Sequence, residues 1–238
     1  MADFTEDLSF LDENYKRIKD NIAEAAVRSG RTPEDVRLMA VTKTVAPEYI
    51  NRVTSLGADL IGENKVQELL GKLEFLNTDG VEMHIIGHLQ TNKVRKIVGT
   101  VSMIQSVDSI PLAEEISLRS AAKGVETGIL LEVNIGGELS KTGLDISAAE
   151  ETAFAVTELD GIRLKGFMAI PPVCETEAEV RQYFARMYRL YSDMKEKLNG
   201  RADISVLSMG MSSDYVPAIL EGANLVRVGS SLFGARRY

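Results

Sequence analysis

Eight short β-branched runs alternate with helical runs along this chain, which predicts an α/β fold of parallel strands closed as a single (β/α)8 TIM barrel. Two further observations favour closure. Runs such as GILLEV (128–133) are apolar on both faces, as strands covered on both sides must be. The first strand leads into VTKTVAPE, without the Gly-rich turn that usually opens a doubly wound sheet.

The elements follow in order. Phe10, Leu11, Tyr15, Ile18, Ile22, Ala25 and Ala26 recur at three-to-four spacing and predict a helix near 9–29, with Ser9 as N-cap and Gly30 as stop. Strands are expected at 36–43, 59–62, 82–87, 102–106, 128–134, 162–168, 204–208 and 225–228. Helices are expected near 47–57, 64–76, 91–98, 110–123, 147–159, 176–199 and 215–222. The helix at 176–199 opens on a capping box, Thr176 with Glu179. Its apolar stripe, Val180 to Leu198, suits packing on the barrel better than a dimer seam. No linker or low-complexity segment interrupts the pattern, so residues 1–238 read as one domain, with the barrel at about 36–234. The N-terminal helix is expected to cover the wall that a final helix would otherwise cover.

Composition narrows the function. Apolar residues make up 45 % and charged residues 26 %, as in an ordinary globular protein. No run is long and apolar enough for a membrane span. The acidic start MADFTEDLSF does not resemble a secretory signal. The lone Cys174 fits a reducing, cytoplasmic setting. A net charge of -8 argues against nucleic acid as a partner.

Active sites of such barrels sit at the C-terminal ends of the strands. Lys43, Asn64, His88, Asp108, Met168, Ser208 and Arg227 fall on or just past those ends. Phosphate sites commonly use the loops after strands 7 and 8. Here those loops are SMGMSSD and GSSLFG, rich in glycine and hydroxyls, the second at the start of a short helix. Taken alone, the mid-strand Arg227 fits an ion pair inside the barrel as well as a ligand contact. A lysine, a phosphate cradle and an arginine facing one mouth are what pyridoxal 5′-phosphate requires: an amine for the aldehyde, donors for the phosphate, and a partner for the pyridine nitrogen.

The stretches AVTKTV, GENKVQE, HIIGHLQTNK, SVDS, GFMAI, LSMGMSSD and VRVGSSLFG, in order from about residue 36 to 234, resemble the pyridoxal phosphate homeostasis protein family, also called the proline synthetase co-transcribed family. The resemblance implies a barrel like the N-terminal domain of alanine racemase, with pyridoxal 5′-phosphate held as a Schiff base on Lys43. It places Arg227 at the pyridine nitrogen. It places Ser208, Gly229 and Ser230 at the phosphate, with Met211 and Ser212 beside them, and Asn64 and Met168 along the ring. Lys65 and Met83 depart from the family's usual aromatic residues, on what is expected to be the pocket wall. The resemblance further implies a role in intracellular cofactor homeostasis, with supply to apoenzymes and no robust turnover. Because Tyr238 ends the chain, no appended β-domain is expected, and the protein reads as a monomer.

Two rival chemistries stand beside this reading. A racemase-like enzyme would need a second acid–base group, for which Asp108, His88 and Tyr215 are the candidates. A cofactor-free Schiff-base aldolase would use Lys165 on strand 6, although a lysine packed beside its strand is the simpler reading. A pure interaction protein would leave Lys43 and the two loops unexplained. His84 and His88 lack a third partner and do not read as a metal site. Cys174 reads as a bystander thiol. The loop NIGGELSKTG, with Lys141, reads as a surface loop that could also serve as a lid or second contact.

Overall fold

The computed structural model describes residues 8–137 and 142–234. In it, parallel strands β1 (Arg37–Val41), β2 (Leu60–Glu63), β3 (Glu82–Ile85), β4 (Met103–Val107), β5 (Thr127–Val133), β6 (Ile162–Ala169), β7 (Val206–Ser208) and β8 (Leu225–Val228) close into a barrel in chain order. Pairing of β1 with both β2 and β8 completes the ring, as the alternation of runs predicts. Around it lie α1 (Ser9–Arg28), α2 (Pro47–Ser55), α3 (Val66–Lys72), α4 (Thr91–Ile97), α5 (Ile110–Lys123), α6 (Ile146–Val156), α7 (Glu177–Lys197), α8 (Tyr215–Leu220) and the short α9 (Ser230–Phe233).

Element ends differ from expectation in a few places. β1 stops at Val41, so Lys43 lies in the turn beyond the strand. The helix expected over 64–76 ends at Lys72 and continues as a 3-10 turn, Leu73–Phe75, with the weak helix former Gly71 in its last α-helical turn. Leu8, not Ser9, takes the N-cap position of α1, and its carbonyl accepts the Leu11 N–H at 2.9 Å. The capping box of α7 is present, with the Glu179 N–H donating to Thr176 Oγ1 at 3.3 Å.

Helices and strands share one continuous apolar layer outside the barrel. Outward-facing Ile61, Ile104 and Phe167 belong to it, as do Val53, Val94 and Phe184 of the helices. Each such fully buried side chain contributes about 1.5–3 kcal/mol relative to exposure. The stripe on α7 is buried in this layer, which rules it out as a dimer seam. The helix α1 packs on α2, α8 and α9, closing the wall beside β1 and β8. Its Asn14 donates to the Leu232 carbonyl at 3.1 Å and its Asn21 to the Tyr215 hydroxyl at 2.8 Å. A separate small cluster, Met39, Leu60 and Leu225 backed by Ile86 and Val206, fills the barrel's floor. The site lies above it.

Candidate cofactor-binding site

A cavity of about 1120 Å³ opens at the C-terminal ends of β1, β2, β7 and β8. Lys43, Asn64, Met211, Ser212, Arg227, Gly229 and Ser230 line it, so seven of the nine expected site residues face one space. Met168 and Ser208 do not line it. They pair with each other on β6 and β7, fully buried, one layer further down.

The two loops meet as a pair of opposed backbones. Ser212 Oγ accepts the N–H groups of both Gly229 and Ser231, at 3.1 and 3.2 Å, and Ser231 Oγ donates to the Ser212 carbonyl at 3.2 Å. Two amide donors from one loop thus converge on a single oxygen of the other, the arrangement an anionic oxygen also satisfies. The turn after β7 needs its glycine. Gly210 has φ +91°, and a Cβ there would lie 2.6 Å from Ala218 Cβ. The Met211 N–H donates to Asp214 Oδ1 at 2.5 Å, which fixes the loop's exit, and burial pushes the Asp214 carboxyl up.

Arg227 is 3 % exposed, yet among the described residues no carboxylate lies within ion-pair distance of it, which overturns the ion-pair reading. Its Nη1 donates to Ser208 Oγ at 2.7 Å and its Nη2 to the Ala169 carbonyl at 3.0 Å. Two of five donors are therefore matched by neutral acceptors, and the guanidinium borders the cavity. Burial pulls its pKa down to about 10, so it stays charged at neutral pH. A buried cation held this way fits an acceptor from the cavity, such as a pyridine nitrogen. Ser208 is part of its mounting: Ser208 Oγ donates to Gln105 Oε1 at 2.7 Å, and Gln105 Nε2 lies 2.9 Å from His84 Nδ1. His84 Nε2 in turn lies 3.4 Å from Glu82 Oε2. Burial lowers the His84 pKa and keeps the ring neutral. Gln105 and His84 escape a search confined to strand ends, because they act from the middle of the barrel.

On the β2 side, Asn64 reaches the cavity because Gly87 leaves room. A Cβ at Gly87 would stand 2.5 Å from the Asn64 carbonyl oxygen. Tyr49, in the first turn of α2, and Phe10 of α1 also line the cavity, with ring centroids 6.0 Å apart. Tyr49 was missed in the sequence, although the first turn of a helix after a strand top is a natural place to look. Lys65 and Met83 do not form the pocket wall. Lys65 is exposed, and Met83 packs on the outer apolar layer.

The remaining candidates lie elsewhere. His88 and Asp108 pair at 3.4 Å outside the cavity, and Tyr215 is buried against Asn21. Lys165 Nζ sits 2.9 Å from Asp203 Oδ2, before the start of β7 and so at the opposite end of the barrel. Cys174 is half-buried in the loop after β6. Among the described residues no cluster of three or more His, Cys, Asp or Glu could hold a metal ion. Lys141 lies outside the described residues.

Comparison with known proteins agrees with this geometry. Residues 14–237 match the alanine racemase N-terminal domain. The pyridoxal phosphate homeostasis protein of Aquifex aeolicus is 39 % identical over 226 residues, covering 95 % of this chain and 98 % of that one. That of Pseudomonas aeruginosa is 38 % identical over 231 residues, covering 97 % and 98 %. The structure of PipY from Synechococcus elongatus with PLP bound is similar at a TM-score of 0.79 and 32 % identity, over 90 % of this chain and 100 % of that one. With its barrel, its cavity and these relatives in agreement, the chain belongs to the pyridoxal phosphate homeostasis protein family.

Proposed function

We propose that the chain, read as one unit over residues 1–238, binds pyridoxal 5′-phosphate as a Schiff base on Lys43 and acts in cofactor homeostasis without robust turnover. One observation carries the reading: Lys43, the buried Arg227 and the paired Gly/Ser loops border the same cavity. When bound, the cofactor supplies an aldehyde that condenses with an amine. Gly229, Ser230, Met211 and Ser212 hold its phosphate, Arg227 faces its ring nitrogen, and Asn64 lies along the ring. Ser208 serves this site by bracing Arg227 rather than by touching phosphate. Met168 supports it from below.

Two features support low turnover. Arg227 remains a cation, which keeps a facing pyridine nitrogen unprotonated and weakens the electron sink. Asp108, His88 and Tyr215 do not line the cavity. Such a protein holds cofactor reversibly for apoenzymes, as a monomer in the cytoplasm. The racemase-like alternative rests on Tyr49, the one phenol among the described lining residues. Titration with pyridoxal 5′-phosphate should give a visible Schiff-base band, and the loaded protein should racemise amino acids at no more than background rate. Racemisation above background that is lost in Tyr49→Phe would establish the enzyme instead.

A further inference from the structure

Lys43 is bracketed by a charged triad that the cavity does not contain. Thr44, the residue after it, has φ 59°, the one positive φ outside glycine among the described residues. A β-branched residue in that region is strained, so neighbouring contacts must hold it there. The Thr44 N–H donates to Glu68 Oε1 at 2.5 Å. Lys72 Nζ donates to the same Glu68 oxygen at 2.6 Å, to Glu63 Oε2 at 3.1 Å, and to the Thr42 carbonyl at 2.8 Å. Glu63 Oε2 also accepts Thr42 Oγ1 at 3.0 Å, and Glu63 Oε1 accepts the Asn64 N–H at 2.9 Å. Glu63 is 0 % exposed. The residues on both sides of Lys43, and the cavity residue Asn64, are thus tied to one partly buried ammonium and two carboxylates.

We propose that Glu63, Lys72 and Glu68 are positioning residues for Lys43. They hold Thr44 in its left-handed turn, so that the Lys43 amine meets the cavity while the chain swings away into α2. The proposal rests on the reading of Lys43 as the attachment residue. In the step it serves, Lys43 Nζ bonds to the aldehyde carbon, and the carbonyl oxygen leaves as water with two protons from the amine. Charged hydrogen bonds inside the triad are the strong kind, so their loss should be visible in that step.

The test separates attachment from binding. Pyridoxine 5′-phosphate has no aldehyde and probes only the loops and Arg227, by calorimetry. Pyridoxal 5′-phosphate with borohydride trapping probes the rate at which Lys43 is modified. In Lys72→Met and Glu68→Gln, trapping at Lys43 should slow about tenfold while pyridoxine 5′-phosphate affinity stays within about twofold of wild type. Adding Thr44→Gly to Lys72→Met should recover most of the rate, because glycine adopts that turn without strain. Equal losses in trapping and in affinity would show a merely structural role and overturn the proposal, as would unchanged trapping in both variants. If Lys72→Met fails to fold, Glu68→Gln decides alone. If wild-type protein is not trapped at Lys43 at all, the attachment reading itself falls.

Discussion

Two halves of the barrel mouth differ in what they present. The side built from β1, β2, β7 and β8 lines the cavity with Lys43, Asn64, Arg227 and the two Gly/Ser loops, while the β3–β6 side contributes only Ile86 and Ile170 among the described residues. Yet the second half does not lack polar groups. Asp108 is paired with His88, and buried Glu132 accepts from Thr142 Oγ1 at 2.8 Å, with burial pushing its carboxyl up. The difference is one of pairing. On the β3–β6 side these groups are matched to one another. On the other side a buried cation donates, among the described residues, to neutral acceptors, with the nearest carboxylates beyond ion-pair distance, and backbone donors converge on one hydroxyl.

Substitutions can break or sharpen this contrast. The largest effect belongs to Lys43→Ala, which should abolish the visible band outright while leaving noncovalent binding of pyridoxine 5′-phosphate measurable; a band equal to wild type would refute the division. Next, Arg227→Leu removes the one buried arginine or lysine among the described residues and should weaken pyridoxal 5′-phosphate binding about ten- to hundredfold by fluorescence titration. A smaller effect is expected of Ser212→Ala, about two- to tenfold in the same titration, because the paired loops lose one neutral contact. Smallest is Asp108→Asn, which should change affinity by less than about twofold, as expected of a group outside the cavity. A tenfold loss there would place the β3–β6 side in the site and end the contrast.

Much of this was legible in the sequence, for identifiable reasons. Alternating apolar runs mark strands sharply where both faces are buried, and the expected bounds of β8 and α5 match residue for residue. Lys43 and Arg227 stand out because charge is costly in such runs. Legibility failed where a side chain's role depends on depth or on a distant partner. Ser208 lies at a strand end like a phosphate ligand, but it points into the barrel toward Gln105, which is 103 residues away in sequence. Met168 lies beneath the cavity on β6, opposite Ser208 in the register. Glu63 reads as one more polar group at a strand end, and Glu68 and Lys72 as ordinary helix charge, until the left-handed Thr44 shows what they restrain together.

The central claim is that Lys43, the one lysine among the described residues lining the cavity, is the amine that takes the cofactor's aldehyde. Borohydride reduction of the loaded wild-type protein, followed by peptide mass mapping, tests it most directly. The account predicts a single pyridoxyl adduct on the peptide containing Lys43. An adduct on Lys165, or labelling spread over surface lysines with none on Lys43, would contradict it.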